Sequence, residues 1–189
     1  MKDKIFNEKE AVAVIQQMVN AGRHNLKQDA VHFLIWGWVI LAGCLIHYLS
    51  FLMLFQQGVY IWPVVITIGI ISSFYTGWQQ GKQSRSTSYV DRMNRYLWFG
   101  SLAPFAIAIS IGLIYDWFYA YPVFAAILGW GSFISGGLLK FKPLVWGGVA
   151  AWITGVFLLI FTGPEILLLM AAAILFSYLI PGHMMMKEE

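Results

Sequence analysis

The chain has 189 residues, of which 59% are hydrophobic, 17% aromatic and only 11% charged. An average soluble domain carries roughly 25% charged and about 45–50% apolar residues, so a water-soluble enzyme domain, a disordered chain and a disulfide scaffold are all excluded. The net charge is +3, and with no polar domain to concentrate it, no nucleic-acid partner is expected.

Residues 1–29 are mostly polar and read as a cytoplasmic amphipathic helix. Asn7 and Glu10 have capping-box spacing, preceded by Phe6 as a staple residue. Val12, Ile15, Val19, Gly22 and Leu26 recur at spacings of three and four, while Gln16, Gln17, Asn20, Arg23 and Lys27 face away. Gly22 is the candidate interruption. Three uses are open: resting on the inner leaflet, where Arg23 and Lys27 meet anionic lipid, docking beneath the bundle, or pairing with a partner's helix. No cleavable signal peptide is expected, because the first apolar run is longer than a signal-peptide core.

A helix needs about 20 apolar residues to cross roughly 30 Å of hydrocarbon. Six stretches meet or approach that length: 30–51, 59–78, 96–115, 121–139, 143–161 and 166–184. Residues 30–187 are therefore expected to form an all-α, polytopic six-span bundle, with 188–189 as a cytoplasmic tail. The connections 52–58, 116–120 and 162–165 hold no Lys or Arg. All 12 basic residues fall in the N-terminal segment, the 79–95 loop, the approach to the fifth span (Lys140, Lys142) or the tail (Lys187). Such loops stay cytoplasmic, which predicts both termini inside, in a bacterial inner (plasma) membrane. Tyr48, Tyr60, Trp62, Trp117, Tyr119 and Tyr121 would form an outer aromatic belt, and Trp36, Trp78, Tyr96, Trp98 and Trp146 an inner one.

The spans carry signs of three repeated helical hairpins. Odd spans open on Trp36-Gly37, Trp98-Phe99-Gly100 and Trp146-Gly147, and even spans near Pro63, Pro122 and Pro164. Proline at a first helical turn loses no intrahelical bond. Pro63, Ser73 and Gly77 keep register with Pro122, Ser132 and Gly136. Small residues one turn apart, as in Ala108/Gly112, Ala125/Gly129 and Gly147/Ala151/Gly155, allow close helix approach.

Ionisable residues inside a membrane are expensive and usually functional. No Asp, Glu, Lys or Arg lies well inside a predicted span, which disfavours an ion-coupled carrier and a buried carboxylate pair. His47, with Cys44 one turn earlier, offers two metal ligands, whereas zinc takes three or four from protein. His24, His32 and His183 form a weak metal-binding constellation near the inner surface. No nucleophile elbow, HExxH or nucleotide-binding fingerprint occurs. No cofactor or enzymatic activity is expected.

Two function classes follow. One is a non-enzymatic sensor, regulatory or assembly module, speaking to a protein partner, a second copy or anionic lipid through the N-terminal helix and the 79–95 loop. Arg23, Lys27, Lys82, Arg85, Arg92 and Arg95 are its candidate lipid or anion contacts, though the same cations also enforce orientation. The other is a small facilitative transporter or channel for an uncharged or weakly charged solute, its polar path built from Thr67, Ser72, Ser73, Ser132, Ser135 and Thr154. The small-residue rhythm of 128–137 (LGWGSFISGG) resembles that of the two-span repeats of HdeD-type acid-resistance membrane proteins. The chain also resembles small bacterial inner-membrane proteins with a short amphipathic N-terminus. Neither likeness carries a residue role.

Overall fold

The computed structural model describes residues 8–54, 56–83, 89–161 and 163–187, with side chains from Leu26 onward except at Gln28, Gln56, Gln57, Asn94 and residues 79–83 and 89–91. The helices are α1 (Glu8–Leu52), α2 (Ile61–Gln83), α3 (Tyr89–Gly100), α4 (Leu102–Ile114), α5 (Trp117–Leu138), α6 (Lys142–Leu158), α7 (Glu165–Ile174) and α8 (Ile180–Lys187). A 3-10 turn at Gln56–Tyr60 leads into α2, and a π-turn at Leu175–Leu179 joins α7 to α8. No strand occurs among the described residues.

Among the described residues, five helical segments are long and apolar enough to cross a membrane: Asp29–Leu52, Gly58–Trp78, Arg95–Ile114, Trp117–Leu138 and Glu165–Lys187. The stretch expected at 143–161 is helical over Lys142–Leu158 and falls short of that length. The expected boundary at residue 29 coincides with no break, because α1 passes through both Gly22 and Asp29.

Prolines account for the irregular points. Pro104 has no N–H to offer the Gly100 carbonyl four residues back, and α3 gives way to α4 there. Pro181 likewise leaves the Ser177 carbonyl without its α-helical donor, inside the π-turn where Ile180 N–H reaches back to Leu175. The freed Ser177 carbonyl accepts from Ser132 Oγ of α5 at 3.3 Å. Pro122 corrects the sequence reading. It is an interior residue of α5, not a first-turn one, because Asp116 starts the helix early by accepting from Phe118 N–H at 2.9 Å.

Neighbouring helices pair antiparallel. On α1 and α2, Trp36 meets Gly69 and Ser73 while Gly43 meets Val65. On α4 and α5, Gly112 meets Trp117 and Phe105 meets Phe124. On α1 and the last rod, Gly37 meets Leu179 and Gly182 meets Leu34. The exposed cations Lys27, Arg92, Arg95, Lys140, Lys142 and Lys187 consequently share one end of the bundle.

The core lies around α5 and the last rod. In the segments Trp117–Leu138 and Glu165–Lys187, 56% and 61% of the most apolar stretch is buried, against 17% for Gly58–Trp78 and 22% for Arg95–Ile114. α2 and the α3–α4 rod are therefore peripheral. The tightest pair is α5 with α6, where a Cβ on Gly148 would sit 2.6 Å from the Gly129 carbonyl and one on Gly136 would sit 2.6 Å from Val145 N. Only glycine lets the two backbones touch in this way. The adjacent Gly147 faces the other side, toward Phe176 O and Ser177 Cα in the π-turn. The Gly-Gly pair thus seats α6 between α5 and the last rod. The α5–α6 turn closes as a Schellman motif: Phe141 N–H bonds Gly136 O, Lys140 N–H bonds Gly137 O, and Lys140 has φ 56°.

Candidate functional site

Among the described residues, a buried polar cluster forms where the end of α1 meets the starts of α2 and α5. His47 sits a little over one turn before the end of α1 and is buried. Trp62 is the second residue of α2 and Tyr121 the fifth of α5. Trp62 Nε1–H donates to His47 Nδ1 at 3.1 Å. Tyr121 OH lies 3.2 Å from the same nitrogen. Phe51 stacks on the imidazole with centroids 5.1 Å apart, and Trp62 and Tyr121 are themselves 6.1 Å apart.

An indole nitrogen can only donate, so a bonded Nδ1 carries no proton. The cluster therefore selects neutral imidazole protonated at Nε2. A second proton would set an Nδ1–H against the Trp62 N–H and break the bond. Gly58 of the 3-10 turn closes over the ring, where a Cβ would meet His47 Cδ2 at 2.7 Å. Ser50 Oγ donates to the His47 carbonyl at 2.6 Å and pins the last turn of α1.

Cys44 is fully buried one turn away. Among the described residues, no three His, Cys, Asp or Glu side chains converge as a metal-holding group. His32 has Thr76 Oγ1 of α2 beside its Nδ1 at 3.5 Å. His183 has its Nδ1 3.0 Å from the Leu179 carbonyl and its ring against Trp38. The two thus have different neighbours, and the side chain of His24 lies outside the described residues.

The six hydroxyls proposed as a polar path are dispersed. Thr67 on exposed α2 donates to Pro63 O, and Thr154 on α6 donates to Ala150 O. Ser73 accepts from Trp36 Nε1 at 2.9 Å, while Ser72 lies in an open groove beside α1. Ser132 and Ser135 are buried on α5. Of the proposed anion contacts, Lys27, Arg92 and Arg95 are exposed. Arg85 and the side chains of Arg23 and Lys82 lie outside the described residues.

Sequence reading singled out His47 but placed Trp62 and Tyr121 in an aromatic belt, missing their inward turn. The usable signal was that the belt held indole and phenol donors at the depth of the one span histidine near that end. Compared with protein families, curated proteins and solved structures, the chain matches none.

Proposed function

We propose that this chain is a six-crossing protein of the bacterial inner membrane with both termini in the cytoplasm, acting as a non-enzymatic sensor, regulatory or assembly module. α6 is the sixth crossing in this reading. Its 17 residues give about 26 Å of rise, at the short end of the range for a spanning helix. Its antiparallel pairing with α5 and the cations at Lys140 and Lys142 support a full crossing. A relation among the hairpins draws support from Gly37 and Gly147, which both close on the last rod.

One observation carries the functional reading: the histidine cluster and the N-terminal segment belong to a single helix. α1 has 45 residues, or about 67 Å at 1.5 Å per residue. The hydrocarbon accounts for roughly 30 Å of this, so about half of α1 continues beyond it. A rod of this kind links a packing change around His47 at one face to a docking segment at the other. Its continuity favours pairing with a partner over lying flat on the leaflet. The transporter reading ranks second, because its six hydroxyls sit on three helices with different neighbours.

The test is crosslinking capture from native membranes, comparing the full chain with a variant lacking residues 1–28. The module reading expects specific capture that the deletion abolishes. Capture unaffected by the deletion contradicts it.

A further inference from the structure

The face of α1 turned away from the cluster lies in an open groove of about 470 Å³. Val31, Ile35, Trp38 and Val39 line it on α1, with Ser72 of α2 on one side and His183 of α8 on the other. Val31 to Val39 spans about 12 Å of helix rise, most of the roughly 15 Å of hydrocarbon in one leaflet. The lining is apolar apart from Ser72 and His183.

Two lysines follow the groove's lining by one helical turn at one end. Lys27 is one turn before Val31 on the same face of α1, and Lys187 is one turn beyond His183 on the same face of α8; both are exposed. α1 and α8 run antiparallel, so both lysines occupy the same end. Asp29, two residues from Lys27, is set about 200° around α1 from it. Glu188 and Glu189 follow Lys187 in sequence and lie outside the described residues.

We infer that this groove is a binding site for an anionic phospholipid of the inner leaflet. One acyl chain lies along Val31, Ile35 and Trp38, and the headgroup sits between Lys27 and Lys187. The site rests on the membrane reading above and gives its lipid partner a definite place. An apolar groove without the lysines would take any lipid; the paired cations select a negative headgroup.

Native mass spectrometry of the purified full chain tests this, with phosphatidylglycerol and phosphatidylcholine of matched acyl chains as probes. The wild type should retain a first phosphatidylglycerol preferentially. The K27Q/K187Q double variant should reduce that preference about 25-fold, as expected for removing two juxtamembrane cations. Val31→Trp, which fills the groove and leaves the charges, should weaken the first adduct of either lipid. K140Q/K142Q, at the same end but away from the groove, should leave the preference unchanged, and inorganic phosphate should not compete. Equal retention of the two lipids by the wild type overturns the site, as does an equal loss in K140Q/K142Q or displacement by phosphate. Partner capture does not enter this assay, so its failure and that of the module reading are distinguishable.

Discussion

Trp62 of α2 donates its indole N–H to Nδ1 of His47 on α1 at 3.1 Å, and Tyr121 of α5 reaches the same nitrogen. Three helices are thereby tied at one end of the bundle by a single acceptor atom. Selectively labelled histidine should show His47 with Nδ1 bare and Nε2 protonated in its nitrogen chemical shifts. Trp62→Phe keeps much of the ring packing and removes the donor, and should cost about 1 kcal/mol of stability in reversible unfolding from micelles. A protonated Nδ1 would contradict the geometry.

Glycines in this chain should respond to substitution according to what they face. Gly148→Ala places a methyl against the Gly129 backbone and should destabilise by about 1–3 kcal/mol as α5 and α6 move apart. Gly77→Ala has nothing within 4 Å and should be neutral, or stabilise by up to about 1 kcal/mol through helix propensity. Unfolding midpoints in one detergent compare the pair. Sequence register set Gly77 equivalent to Gly136, yet Gly136 is pressed against Val145, so the two should also part on alanine substitution.

Lys140 holds the left-handed position that closes the α5–α6 turn. Lys140→Gly should stabilise the hairpin by about 1 kcal/mol, because glycine has no Cβ to clash there. Lys140→Val should do the reverse. Thermal unfolding of the two variants checks both signs.

Ser132 and Pro181 should be coupled. The proline frees the Ser177 carbonyl and the serine hydroxyl takes it up. Ser132→Ala should cost more in the wild type than in Pro181→Ala, where a backbone N–H is restored. A double-mutant cycle should give a coupling of about 0.6 kcal/mol, typical of hydrogen bonds between membrane helices. Additivity would show that the hydroxyl does not serve that carbonyl.

Hydropathy places some of the helices to within a few residues, though not the start of α1. The stretch read at 59–78 becomes Gly58–Trp78, and that at 96–115 becomes Arg95–Ile114. Burial in lipid depends on local composition, so it is written locally. The early start of α5 was missed because an Asp cap and an interior proline send opposite local signals, and the cap prevails. The His47 cluster joins residues 15 and 74 positions apart. No local pattern encodes that convergence, which arises from how α1, α2 and α5 pack. Gly147 and Gly148 are legible as a close-packing element, but their division between two partner helices needs the fold.

The six-crossing layout is tested most directly by thiol labelling. In a Cys44→Ser background, single cysteines replace Asp116, Lys140 and Glu165, and spheroplasts are treated with a membrane-impermeant maleimide. The layout predicts labelling of positions 116 and 165 from outside and of position 140 only after permeabilisation. Position 165 protected together with 140 would mean that α6 does not cross, and would contradict the account.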